Sequence, residues 1–189
     1  MRLSTVLILV VLVGAPAAWL VLNQRDLAQN ERRLSAIASE IAGRSVKVDC
    51  PSVLAELVDV AWNQGSVRFD AGGRPADEMK LSGETCRFLE RFAEGRTDTG
   101  DEAKVARALH VLMHESFHLV GIRSEAAADC YAFQRVELAA TRLGADPFEA
   151  EALAARAYVD RQETAPLDYR STECRDGGAL DLSPTPHWP

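Results

Sequence analysis

The chain holds four histidines, and three of them, His110, His114 and His118, fall within one short stretch. His114 and His118 enclose Glu115-Ser-Phe, so the stretch spells H-E-x-x-H. On a helix, positions i and i+4 share one face about 6 Å apart along the axis. Two imidazoles placed that way reach one Zn²⁺ ion through bonds of roughly 2.0–2.1 Å. Glu115 lies where a general base toward water at the metal is needed. A catalytic zinc centre takes three protein ligands and keeps one position open. Glu125, shortly downstream, is the candidate third ligand. Asp129 follows one helical turn later, where it can accept a hydrogen bond from the non-ligating nitrogen of a zinc histidine. Asp129 is also the alternative third ligand. His110 and His118 are about 12 Å apart along a straight helix, too far to share one ion, so His110 is read as a packed or bracing residue. The remaining His187 is read as a surface residue.

These residues need elements to hold them. The motif helix is predicted to start near Asp101, an N-cap residue, and to stop at Gly121. Val105, Leu109, Leu112, Met113 and Phe117 supply its packing surface. Ser124 then caps a second helix, Glu125 to about Leu143, and the Gly-ended turn between the two brings Glu125 back toward the histidines. Asp146-Pro-Phe-Glu149 is an N-cap, a proline at the first helical position and a capping-box Glu, opening a third helix to about Gln162. Upstream, Val46–Asp49 and Ser66–Asp70 alternate apolar and polar residues and read as two short strands. Pro51 opens a helix between them, to about Asn63, closed by Gly65. Residues 71–75 read as a turn, and Ser82 as the cap of a helix containing Cys86, Leu89 and Phe92. A strand beside the motif helix would offer an extended substrate an edge to pair with. Asp168 to Pro189 reads as loop, with Trp188 as an anchor for its end. The expected class is α+β, mainly helical: a small zincin-like domain with a short β-strand pair, behind an N-terminal transmembrane helix.

The combination of H-E-x-x-H with a later E-x-x-x-D on the next helix resembles the gluzincin zinc peptidases. The resemblance implies zinc held by His114, His118 and Glu125, with Glu115 as the base and Asp129 bracing a ligating histidine. It spans about 16 residues, and the connector between its two halves is shorter than that family's. The metzincin pattern overlaps: Gly121 fits it, but Ser124 stands where its third histidine belongs. The whole chain looks like exported, single-span H-E-x-x-H proteins of high-GC bacteria.

The rest of the sequence sets the compartment. Val6 to Leu22 is an uncharged apolar run with Arg2 before it and Arg25 after it. It reads as a signal anchor over 1–24, the alternative being a signal peptide cut after Ala17. Residues 25–44 read as a stalk or a first helix, and 45–189 as the catalytic domain. Cys50, Cys86, Cys130 and Cys174 contain no C-x-x-C, so they read as two disulfides in an oxidising compartment. Three pairings are possible; the favoured one is Cys50–Cys86 with Cys130–Cys174, which keeps each bridge within one half of the chain. A net charge of −7 argues against nucleic acid as a partner. The reading that emerges is a membrane-anchored, extracytoplasmic, zinc-dependent metallopeptidase acting on peptide or protein substrates. Tyr131, Tyr158, Tyr169 and several arginines are candidates to stabilise the oxyanion. The alternative is a non-catalytic, zinc-stabilised module that binds a partner at the envelope.

Overall fold

The computed structural model describes residues 26–52 and 64–182. The apolar leader, the helix expected between Pro51 and Asn63, and the end of the tail with His187 and Trp188 lie outside them. Helix α1 covers 26–42. Strands β1 (Lys47–Asp49), β2 (Gly65–Phe69) and β3 (Pro75–Leu81) follow. Then come α2 (Gly83–Ala93), α3 (Glu102–Val120), α4 (Glu125–Phe133), α5 (Val136–Arg142) and α6 (Pro147–Thr164), with a 3₁₀ turn at Leu167–Tyr169. The class is α+β and mainly helical.

Helix α3 is the centre of the packing. It touches β2, β3, α2, α4, α5 and α6. Leu109, Leu112 and Met113 are fully buried, while Ala106 and Ala108 let neighbouring elements come close. A helix apolar on most of its circumference belongs inside a fold. Each such large side chain contributes about 1.5–3 kcal/mol on burial. Asp101 stands at the N-terminus of α3 as expected, but its side chain does not cap the helix. Its carboxylate lies near Lys104 and Arg91 instead, at 3.4 and 3.6 Å.

The sheet has three strands in the order β1-β3-β2, one more than the expected pair. In the added strand, β3, only Met79 and Leu81 are buried, alternating with Glu78 and Lys80. The preceding Asp77 and the charges around it disfavour a strand by propensity, so burial of Met79 and Leu81 against α3 decides the conformation. Strand β3 pairs in parallel with β1 (Val48 opposite Met79) and antiparallel with β2 (Val67 opposite Met79). The outer edge of β1 is met by α1: the amides of Val46, Val48 and Cys50 donate to Ser39 Oγ, Ser35 Oγ and Glu31 Oε1 at 2.9–3.0 Å. With Leu34 and Ala38 fully buried, 26–42 is packed as part of the fold. Strand β2 lies at the opposite edge, and no strand among the described residues pairs with its outer side.

Both disulfides form in the favoured pairing, Cys50–Cys86 and Cys130–Cys174. The first ties the end of β1 to α2; the second ties α4 to the segment after the 3₁₀ turn. The expected continuous helix from Glu125 to Leu143 is broken at Gln134-Arg135 into α4 and α5. Gln134 Nε2 donates to the Cys130 carbonyl, which competes with the backbone bond that carbonyl would accept in a continuous helix. The same amide group also binds Leu180 O and Leu182 N, so the break secures the C-terminal segment.

Candidate metal centre

Helix α3 carries His114, Glu115 and His118, all buried, in its C-terminal half, with His118 in the last turn. It ends where Gly121 takes φ 109°, a left-handed conformation that glycine adopts without steric cost. The amides of Gly121 and Ile122 close the turn on His118 O and Phe117 O. Ser124 Oγ then accepts from Ala127 N, opening α4 with Glu125 as its first residue. This tight reversal returns Glu125 to the histidines. His114 Nε2 lies 3.0 Å from His118 Nε2 and 3.0 Å from Glu125 Oε2, and His118 Nε2 is 3.4 Å from the same oxygen.

The opposite nitrogens of the two rings define what this triangle is. His118 Nδ1 is 2.6 Å from Ile122 O, a pure acceptor, so Nδ1 carries the proton. His114 Nδ1 is 3.2 Å from Asp129 Oδ1 and donates to it. In their neutral forms both rings therefore turn a bare Nε2 lone pair toward the other and toward a carboxylate oxygen. Three lone pairs at such separations repel unless a cation lies among them. A proton on His114 would satisfy one of the three contacts; a metal ion would satisfy all three. Donors bound tetrahedrally at 2.0–2.1 Å sit roughly 3.3 Å apart, close to the spacings seen. Among the described residues, His114, His118 and Glu125 form a group that could hold a metal ion.

Each of the other candidates has a distinct place. Asp129, 2 % exposed, stands behind His114 on its Nδ1 side and outside the donor triangle. It is gripped by Arg161, whose Nε and Nη2 donate to its two oxygens at 3.2 and 3.0 Å. Burial works against its charge, but His114, His110 and Arg161 outweigh it and hold the carboxyl below its usual range. His110 is packed on Phe133, with Nε2 3.4 Å from Asp129 Oδ1 and no hydrogen-bond partner. Burial pushes its pKa down to about 4, so it is neutral at pH 7. For His114 burial also opposes charge, but the Asp129 hydrogen bond and the nearby Glu115, Asp129 and Glu125 charges raise its pKa.

Glu115 is 6 % exposed and its Oε2 has no hydrogen-bond partner. Burial pushes it up to about 7, with His114 opposing and Glu125 adding. It sits directly against β2: a Cβ on Gly65 would come within 2.6 Å of Glu115 Cγ and 2.8 Å of Oε1. Only a glycine lets the edge strand pass there. The sequence pattern marks Gly65 as the end of the preceding helix and carries no signal of this contact.

The group opens into a cleft of about 720 Å³ between β2, α3, α4, α6 and the 3₁₀ turn. Tyr169 is the tyrosine that lines it. Its ring stacks on His114 at 5.8 Å and receives the Arg161 guanidinium at 5.0 Å. Burial pushes the Tyr169 phenol up to about 12, and Glu125 adds through its charge and a hydrogen bond. Tyr131 and Tyr158 pack on Phe117 and Phe133 instead.

Family models, curated proteins and solved structures contain no match to this chain. A buried carboxylate with one unpartnered oxygen and a triangle of lone pairs line the same cleft, a combination that a purely structural polar core avoids.

Proposed function

We propose that the protein is a zinc-dependent metallopeptidase of gluzincin-like type, with His114, His118 and Glu125 as metal ligands. The observation that carries this is the pairing of the donor triangle with Glu115, a buried carboxylate whose Oε2 has no other partner. Zinc, when bound, supplies Lewis acidity that makes water a usable nucleophile near neutral pH and polarises a carbonyl. The protein's own groups do the rest. Glu115 takes the proton from the attacking water and returns it to the leaving amine. Asp129 and Ile122 O hold the two imidazoles in the Nδ1–H tautomer and fix their orientation. Arg161 holds Asp129 in turn. Tyr169 keeps its proton far above neutral pH and stands beside Glu125, suited to donate a hydrogen bond to an oxyanion. The outer edge of β2, with which no described strand pairs, lines the cleft through Gly65, Ser66, Val67 and Phe69 and suits an extended peptide.

Two disulfides fit an oxidising compartment. With the apolar leader, they support an extracytoplasmic enzyme tethered to the membrane. Among the described residues no helix is long and apolar enough to cross a membrane, and the leader lies outside them.

The test is Glu115→Gln. The variant should retain zinc at the wild-type stoichiometry while cleavage of an unbiased peptide library falls by roughly 10²–10⁴. Undiminished cleavage would remove Glu115 from the role of base. Zinc binding without cleavage by the wild type would favour the non-catalytic binding module.

A further inference from the structure

Two arginines in the cleft have no acidic partner among the described residues. Arg161 is committed to Asp129, but Arg107 and Arg123 are exposed, line the same cleft, and make no ion pair among the described residues. In a chain of net charge −7, two unpaired cations in one cleft need an explanation. Arg107 lies seven residues before His114, on the same face of α3 and about 10 Å back along the axis. Arg123 lies beyond His118, at the opposite end.

Arg123 is also held in place. Its guanidinium stands 5.7 Å from the centre of the Phe69 ring, and Phe69 meets His118 edge-on at 6.1 Å. From the other side it abuts the β2–β3 turn, where a Cβ on Gly73 would come within 3.2 Å of Arg123 Nη1. The acidic residue of that turn, Asp70, is taken by Arg74 at 3.0 Å. A guanidinium stacked on a ring keeps its donor fork free for a planar acceptor such as a carboxylate. The three carboxylates lining the cleft, Glu115, Glu125 and Asp129, are matched by three arginines before any metal charge is counted, so a bound dication leaves the cleft positive.

We infer that the cleft takes an anionic peptide, with Arg123 and Arg107 each receiving an acidic side chain from opposite ends of the bound segment. This rests on the peptidase reading above and names its substrate class. The two sites lie on either side of the metal group, so the acidic residues flank the scissile bond.

The test uses the full chain in mild detergent, carrying Glu115→Gln and loaded with zinc. Binding of labelled decapeptides is measured by fluorescence anisotropy at 0.15 M salt. The peptides are acetylated and amidated, so a terminal carboxylate plays no part, and differ only in Glu against Gln on both sides of the centre. The Glu peptide should bind tighter by roughly fivefold per arginine, and the preference should shrink as salt rises. Arg107→Gln with Arg123→Gln should bring the ratio to about one at unchanged zinc content, and Arg123→Glu should bring it below the value of the Arg123→Gln single variant. Equal binding of the two peptides, binding of neither, or a preference that survives in the double variant would overturn the inference. A Glu preference in a protein whose wild type cleaves nothing would discard the peptidase reading alone. Equal cleavage rates for the Glu and Gln peptides would discard the inference alone.

Discussion

Glu115 is set apart from the other carboxylates of the cleft by a buried oxygen, Oε2, that has no hydrogen-bond partner among the described residues. Asp129 has Arg161 and His114; Glu125 has both histidines and Tyr169; Glu115 Oε2 has no partner. A buried carboxyl without a partner costs about 1–3 kcal/mol or more, so its placement is better explained by chemistry than by packing. Gly65 makes that placement possible. Gly65→Ala drives a methyl group into Glu115 Cγ at 2.6 Å, and strand or side chain must move. The expected outcome is retained zinc with peptide hydrolysis reduced at least tenfold, because the base is displaced and the ligands are not. Overpacking should also cost about 1–3 kcal/mol in denaturant unfolding. Hydrolysis at the wild-type rate by the alanine variant would show that the contact is irrelevant to the base.

At the scale of elements, the α3–turn–α4 reversal makes the donor triangle. Its two punctuation residues, Gly121 and Ser124, are legible in the sequence, as are the register of H-E-x-x-H and the return of Glu125. Ser124 caps α4 by accepting from Ala127 N at 3.3 Å, and Glu125 is the next residue. Ser124→Ala should therefore destabilise the fold by about 1 kcal/mol and weaken zinc binding, read by competition with a chromophoric chelator. An unchanged zinc affinity would mean that the cap does not position Glu125. Other features were not legible, for physical reasons. The break between α4 and α5 depends on Gln134 reaching Leu180 and Leu182, far along the chain. Strand β3 is set by burial of Met79 and Leu81 against the propensity of its charged neighbours. Arg161 reaches Asp129 from a helix 32 residues away, a spacing that carries no local signal.

For the molecule as a whole, the site is built into the core and shares its stability. His110 is buried and neutral, with a pKa near 4 against 6.5 in the unfolded chain. Its contribution is complete above pH 6.5, where neither state binds the proton. As pH falls from 6.5 toward 4 the unfolded state takes up the proton first, and the His110 contribution declines by roughly 3 kcal/mol. Glu115, its pKa raised to about 7, contributes with the opposite sign over the same range. The His110 part is therefore read in urea unfolding of the metal-free protein as the difference between wild type and His110→Gln, which should grow as pH rises from 4 to 6.5. An equal slope in both proteins would assign the loss to other groups. The two disulfides act throughout, each closing a loop that contributes about 4 kcal/mol by chain entropy. One bridge anchors the sheet to α2, and the other joins α4, which carries Glu125 and Asp129, to the segment just past Tyr169. The cleft is thus stapled on the side that holds Glu125.

The central claim is that three residues from α3 and α4 hold one metal ion. The direct measurement is a zinc titration by calorimetry of the purified, chelator-stripped chain, beside His114→Ala and Glu125→Ala. The account predicts one zinc per wild-type chain, lost in His114→Ala and at least tenfold weaker in Glu125→Ala. Zinc affinity should also fall as pH drops, because His114, its pKa raised by the Asp129 hydrogen bond and the neighbouring carboxylates against its burial, takes up a proton that the metal must displace. Wild-type protein that binds no stoichiometric zinc, or that binds it equally well without His114, would contradict it.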